Sequence, residues 1–265
     1  MENFTARIIE SADVGHPDLP GFPPDAVQAR FVGRSGRSAL EEVLPFVDLI
    51  KKYSKPSATS QVLDFGVGWG RIARFFQNAV PAENLHLADV DPAALKWCED
   101  CKVKGARVLL DHIGSLPFKD GSLDVVYSYS VFSHLAEASA VHWLDEIHRA
   151  LKPNGILIFT TQSMRFLQLV VACHEKSNPS PMEASIGTYM GPNPRNSMDR
   201  YAKGHHAYSD VNGGGGGGIL SGEFYGWAAI PPIWFEERFT RKFTLEQYVD
   251  NPKIMEQSVF VVRKN

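Results

Sequence analysis

Residues 61–76 read QVLDFGVGWGRIARFF. Val62, Leu63, Asp64 and Phe65 form a short, largely apolar run of the kind that becomes a buried parallel strand. Gly66, Gly68 and Gly70 follow, two residues apart. Ile72, Ala73, Phe75 and Phe76 then recur at helical spacing. The stretch predicts strand, glycine-rich turn, helix. Glycine accepts positive φ and lets a ligand reach the backbone. A helix opening behind the turn would aim unpaired amides and the positive end of its dipole at that ligand. The turn thus reads as a seat for a nucleotide-like cofactor; a plain strand-to-helix turn that needed glycines is the alternative. A dinucleotide turn, G-x-G-x-x-G, wants a third Gly or Ala at position 71, where this chain has Arg71. The third glycine comes one residue early, and Asp64 stands two residues before the first.

Outward from this stretch the alternation of strands and helices continues. In NLHLADVDPAALKWCED (84–100), Leu85, Leu87 and Ala88 predict a second strand, and Asp91-Pro92 reads as the N-cap and first residue of a helix. Asp89 closes that strand roughly 20 residues beyond the glycines, where a Rossmann-like domain places the acid that grips ribose hydroxyls. A second capping residue is the alternative for Asp89. ARVLL (106–110) predicts a third strand ending at Asp111-His112, and Leu123 to Tyr127 a fourth, after an Asp120-Gly121 turn. Val141, Leu144, Ile147 and Leu151 share one helical face. Lys152 to Gly155 predicts a turn, and Ile156 to Phe159 a fifth strand.

Asp64, the three glycines and the later segments together resemble the class I S-adenosylmethionine-dependent methyltransferases, in particular their small type 11/12-like members. D-x-G-x-G-x-G is similar to that family's first motif. Asp89-Val90-Asp91-Pro92 is similar to its acid-x-x-Pro turn. Leu116, Pro117, Phe118, Asp120, Ser122, Asp124, Val125 and Val126 match the L-P-F-x-D-x-S-F-D-V-V that precedes strand four. Arg149, Leu151, Lys152, Pro153 and Gly155 match the R-x-L-K-P-G-G before strand five, with Asn154 in place of a glycine. Asn tolerates left-handed backbone, so that departure is mild. The resemblance covers about residues 60–161, with the motifs in family order. It implies a three-layer α/β, Rossmann-like fold, its seven-stranded, mostly parallel sheet completed by an antiparallel C-terminal strand. It also implies S-adenosyl-L-methionine as cofactor. Asp64 would serve the cofactor's ammonium side, Asp89 the ribose, and helix amides the carboxylate. Asp111 would accept from the adenine, with His112 or Ile113 as alternatives because an extra residue lies before Leu116. Phe65, Gly66, Gly68, Gly70, Val90 and Tyr129 complete the expected contacts.

Ahead of the first strand, FVGRSGRSALEEVLPFVDLIKKY (31–53) carries Leu40, Val43, Leu44, Val47 and Ile50 at three- to four-residue spacing, an amphipathic helix that Pro45 would kink. Arg34 or Arg37, just before it, could pair with the cofactor's carboxylate; Arg37 is the choice, a solvated surface arginine the alternative. Pro17, Pro20, Pro23 and Pro24 predict an extended arm over residues 1–30. The expected division is an arm and cap helix over 1–55, then a methyltransferase-like domain over 56–265.

The last third is less regular. Ser163 to Lys176 predicts a helix. Residues 177–222, rich in Pro, Gly, Asn and His with six successive glycines at 213–218, read as a long loop. A lid-like insert (163–222) carrying Tyr189, Arg195, Arg200, Tyr201, His205 and His206 is one reading, an idle loop the other. His205 and His206 read as surface residues. PPIWFEERF (231–239) predicts a helix, and RKFTLEQYVD (241–250) and EQSVFVVRK (256–264) the final strands.

The chain has 265 residues, 44% hydrophobic and 22% charged, with a formal charge of -3 and no Lys/Arg block that would favour nucleic acid. Cys98, Cys101 and Cys173 read as small packed thiols, so no metal site is expected. The N-terminus lacks the apolar core of a signal peptide, and no segment approaches the roughly 20 apolar residues of a membrane span. A cytoplasmic protein acting on a small molecule is expected. The sulfonium cofactor is already an activated methyl donor, so the enzyme's task would be to align an O or N acceptor of a small or sugar-like molecule. An acidic acceptor would need a base: His134, Tyr129 and His112 are the candidates, with His134 preferred. A fold relative that binds without catalysis and, less favoured, an NAD-dependent oxidoreductase are the alternatives.

Overall fold

The structure, a computed structural model, describes residues 4–211 and 219–265. The glycines at 213–218 lie outside the described residues. The chain forms two compact units, Met1–Ser128 with Ala150–Ile156, and Tyr129–Arg149 with Leu157–Asn265.

In the first unit four helices precede the first strand: α1 (Phe4–Val14), α2 (Asp25–Val32), α3 (Gly36–Glu41) and α4 (Leu44–Ser54). The extended arm expected over 1–30 is therefore a correction. Among the described residues of that range, only the proline-bearing stretch between α1 and α2 is non-helical, because Pro17, Pro20, Pro23 and Pro24 deny it helix amides. The single kinked helix expected from Leu40 onward is two helices. Pro45 sits in the first turn of α4, where its missing N–H is not needed. Gln28 is buried and binds two segments at once. Its Nε2 donates to Pro23 O at 2.8 Å and its Oε1 accepts from Gly36 N at 3.0 Å.

β1 (Val62–Phe65) is buried throughout. It lies between β2 (Leu85–Asp89) and β4 (Leu123–Ser128) and runs parallel to both, with β3 (Ala106–Leu109) parallel to β2 outside. The register pairs Asp64 with Tyr127 across β1 and β4. The full sheet has seven strands in the order β3-β2-β1-β4-β5-β9-β8, in which β5 is Leu151–Thr161, β8 is Phe243–Val249 and β9 is Ser258–Lys264. β8 and β9 are antiparallel. The strand order reverses at β1, so its carboxyl end is the switch point at which α/β sheets hold ligands. α5 (Pro92–Asp100) begins as expected, Asp91 accepting from Ala93 N at 2.8 Å. The turn expected at 152–155 is instead paired as the start of β5, and Asn154 takes the left-handed conformation there (φ 63°).

The second unit holds most of α6 (Glu137–Ala150), then α7 (Met164–His174), α8 (Pro181–Ile186), α9 (Pro194–Ala202), the antiparallel pair β6 (Ala207–Ser209) and β7 (Trp227–Ala229), and α10 (Pro232–Phe239). The long loop expected over 177–222 is thus a folded segment as far as it is described. Leu167, Val170, Met190, Tyr201, Ala207 and Ala229 form its own core. Leu167, Val170 and Met190 each contribute about 1.5–3 kcal/mol on full burial, which outweighs the loop-like composition. Ser180 and Glu183 close a reciprocal capping box at the start of α8. His206, expected at the surface, is 1% exposed, packed against Trp234 at 5.5 Å. No helix among the described residues is long and apolar enough to cross a membrane.

Candidate functional site

The glycine turn is built on β1 and fastened to β2. Gly66 N and Val67 N both donate to Ala88 O at 2.9 Å, and Gly70 N donates to Val67 O at 3.0 Å. Gly68 has positive φ (55°), and its N–H donates to Asp89 Oδ2 at 2.9 Å. The other carboxylate oxygen of Asp89 accepts from Asp91 N at 2.9 Å. Asp89 therefore locks the turn, with the amide of Val90 a further donor toward its carboxylate. Burial lifts its carboxyl to about 6, against the pull of these amide bonds.

The helix expected behind the turn is a correction. It is a 3-10 helix of four residues, Ala73–Phe76. Every residue from Trp69 to Phe76 is buried, so no solvent face exists to sustain an amphipathic helix. The turn amides at 66, 67, 68 and 70 are engaged within the chain, which leaves less of the amide cradle that an α-helix would have offered.

Asp64 lies beneath the turn. Its Oδ2 and the facing Tyr127 hydroxyl are both buried without a hydrogen bond of good geometry, though the phenol is close enough to lower the carboxyl's proton affinity. Burial dominates and raises Asp64 to about 8, with Asp89 adding to the rise. The folded state then holds a proton that the unfolded chain releases near its ordinary value of 3.8. The share of stability that comes from Asp64 is accordingly greatest in acid and falls as pH rises toward about 8, by up to about 1.4 kcal/mol per pH unit for a whole proton. Asp89 adds a slope of the same sign up to about 6. Below about 6.5 the buried His134 and His206, both lowered to about 4, contribute a slope of the opposite sign. The fall in urea midpoints of the unliganded chain should therefore be read between about pH 6.5 and 8, where Asp64→Asn should flatten most of it. An unchanged slope in that variant would place the titration elsewhere.

Two arginines inside the turn were not legible as structural residues. Arg71, 5% exposed, donates to Glu42 Oε2 at 2.7 Å and to Ala39 O at 3.1 Å. It ties the turn to α3. Arg74, fully buried, lies between the rings of Phe22 (4.3 Å) and Trp69 (4.7 Å) and donates to Gly70 O and Gly21 O. Burial lowers it to about 10. Phe31 of α2 also went unpredicted; its ring stands 3.6 Å from where a Cβ on Gly68 would be, against the turn. Cys98 Sγ donates to Gly68 O at 3.3 Å, and all three cysteines are free and buried, as expected of packed thiols.

The remaining candidates are less closely gathered. Phe65 is buried at the end of β1 and Val90 half-buried after β2. Asp111 and His112 are exposed beyond β3. Arg37, expected at the cofactor's carboxylate, is instead held by Asp13, through Nε at 2.8 Å and through Nη2, and by Glu41 at 3.6 Å. These acids answer its charge at the surface, so nothing draws it to the turn.

Residues 63–159 match the family model described as a methyltransferase domain. Over this stretch, rather more than a third of its length, the chain is similar to methyltransferase domains. A glycine/sarcosine/dimethylglycine N-methyltransferase of Actinopolyspora halophila is 30% identical over 110 residues, 39% of this chain and 19% of that protein. A malonyl-[acyl-carrier protein] O-methyltransferase of Laribacter hongkongensis is 28% identical over 135 residues, 47% of this chain and 43% of that protein. The chain thus spans less than half the length of these two curated relatives. Among solved structures, the PH0226 protein from Pyrococcus horikoshii OT3 shares the fold at 18% identity and TM-score 0.55, covering 86% of this chain and 90% of that one.

Tyr129 and His134 follow β4 in sequence and belong to the second unit. Tyr129 is half-buried. His134 is 7% exposed, and its Nδ1 lies 2.7 Å from Gly226 O, which can only accept. The proton therefore sits on Nδ1, and Nε2 is the ring's acceptor. Its ring stacks on Tyr225 (4.7 Å, 6°) and leans on Trp227 (5.0 Å). Burial lowers it to about 4, so the imidazole is neutral at physiological pH. Gly226 N donates to His134 O and Ala228 N to Ser133 O, so His134 also clasps the chain at β7.

Proposed function

We propose that the chain transfers a methyl group from S-adenosyl-L-methionine to an oxygen or nitrogen atom of a small-molecule or sugar-like acceptor. The observation that carries this reading is the single cradle made by Asp89 and the glycine turn, joined through Gly68 N–H. The cradle fits the cofactor's sugar. Asp89 is the acceptor for its hydroxyls, and Gly68 offers backbone without a side chain. Asp64, with its orphaned Oδ2, is the polar group beneath, reaching the ligand's amino-acid end through water or backbone. The half-open ring of Phe31 stands beside the turn as an apolar neighbour for the ligand. The cofactor supplies an activated methyl group on a sulfonium; the chain's share is to bind, orient and keep water out. Asp111 or His112 would take the adenine amino group, and Tyr129 a further cofactor contact. For an acidic acceptor the reading keeps His134 as proton acceptor through Nε2, a weak base but wholly in its basic form at neutral pH.

The domain relatives named above differ in acceptor, one printed as an N- and one as an O-methyltransferase, so the acceptor atom in this reading rests on neither. Calorimetric titration with S-adenosylmethionine and with NAD separates the leading alternatives. Heat with the sulfonium nucleoside alone is expected; heat with NAD alone overturns the reading. Cofactor binding with no methylated product across a broad acceptor panel would favour a binding role without catalysis, the role to which the structural clasp of His134 also lends itself.

A further inference from the structure

A second hollow, of about 430 Å³, lies in the first unit among α1, the end of α4 and the 3-10 helix. Its volume is in the range of small-molecule sites. Phe4, Pro56 and Ala79 give it an apolar side over the buried rings of Phe75 and Phe76, and Lys51, Lys55, Thr5 and Asn78 a polar one. Among the described residues no carboxylate lines it. Lys55 and Pro56 precede β1, whereas the glycine turn leaves its other end, so this hollow is not the cofactor cradle.

The two lysines are one helical turn apart, and Lys55 N donates to Lys51 O at 3.1 Å as it caps α4. Like charges at this spacing repel each other. The negative end of the helix dipole eases that repulsion but gives no reason for an apolar wall beside it. Lys51 Nζ donates to Thr5 Oγ1 at 2.8 Å, which uses one of its three protons. Burial lowers the proton affinity of Lys51, against the weaker opposing pull of Asp48 on the same helix, the mark of an ammonium drawn partly out of water. A cationic rim over an apolar floor calls for a ligand with both characters.

We propose that this hollow binds a small amphiphilic anion, a carboxylate or phosphate monoester carried on a short hydrocarbon or aryl stem. The anion pairs with Lys51 and Lys55, and the stem lies on Phe4, Pro56 and Ala79. The site does not depend on the methyl-transfer reading.

The test is calorimetric titration of the full chain with octanoate, phenyl phosphate, octanol and inorganic phosphate. Octanoate or phenyl phosphate should bind, and octanol and inorganic phosphate should each bind about tenfold more weakly or not at all. Whichever of the first two binds more tightly identifies the head group. Lys51→Gln combined with Lys55→Gln should weaken binding about tenfold while leaving S-adenosylmethionine affinity unchanged. Equal binding of octanol would remove the charge from the proposal, and equal binding of inorganic phosphate would remove the stem. Undiminished binding in the double variant, or no binding of either amphiphile, overturns it. The four-ligand comparison on the unsubstituted chain decides the matter even where the double variant folds poorly.

Discussion

Asp89→Ala should weaken S-adenosylmethionine binding about 10- to 100-fold in a calorimetric titration. The range follows from the roughly 1.5–3 kcal/mol that a hydrogen bond to a charged group is worth. Two losses combine. The ribose hydroxyls lose their acceptors, and Gly68 N and Asp91 N lose the oxygens that hold the turn closed. The titration belongs well below the variant's unfolding temperature, so that reduced affinity is not reduced folding. pH supplies an independent reading of the same group. With the carboxyl raised to about 6, affinity should fall as pH drops through that value, because a protonated carboxyl has fewer lone pairs to offer. Asp89→Asn should bind weakly at every pH and show no such fall. Full affinity in the alanine variant would remove Asp89 from the site.

What the sequence disclosed and what it hid divide along one physical line. The glycine turn, Asp89 and the N-cap at Asp91 were legible because each is set by neighbours a few residues away: a buried strand, a turn needing positive φ, a helix start before Pro92. Arg71 and Arg74 were not. An arginine reads as solvated unless its distant partners are known, and these are Ala39, Glu42, Gly21 and Phe22. Their burial also explains why apolar spacing after the turn misled. With Arg74 as buried as Phe75 and Phe76, a helical period gives no inside and outside, and the chain closes into a tighter helix. Arg37 misled in the opposite sense, its partner Asp13 lying on a helix that the prolines obscured. The folded insert was hidden by its composition, although Ser180-Pro181-Met182-Glu183 spells a capping box that a residue-by-residue reading could have found. Its core needs Leu167 and Val170 to meet Ala207 and Ala229, a meeting no local pattern announces.

Gly226→Ala should lower stability by about 3 kcal/mol or more, at the upper end of what overpacking costs. A Cβ at this position would stand 2.2 Å from Ser209 O and 2.9 Å from two ring carbons of Tyr208. A flexible side chain could step aside; Ser209 O is backbone, in the strand that pairs with β7 through Ser209 and Trp227. Gly226 cannot retreat either. Its N–H donates to His134 O at 2.7 Å, and its own carbonyl accepts from His134 Nδ1 at 2.7 Å. The methyl group must therefore part β6 from β7 or open the His134 clasp, and each route gives up hydrogen bonds in a buried place. Gly121→Ala is the comparison. Gly121 has positive φ (61°) with open space around it, so its cost is backbone strain alone, about 1–2 kcal/mol. Urea midpoints should rank unsubstituted chain, Gly121→Ala, Gly226→Ala, in falling order. Loss of near-ultraviolet dichroism in the Gly226 variant would mark disturbance of the stack that His134 makes with Tyr225 and Trp227. A Gly226→Ala midpoint equal to that of the unsubstituted chain would show that β6 yields freely, and the clasp would then carry no weight in the unit.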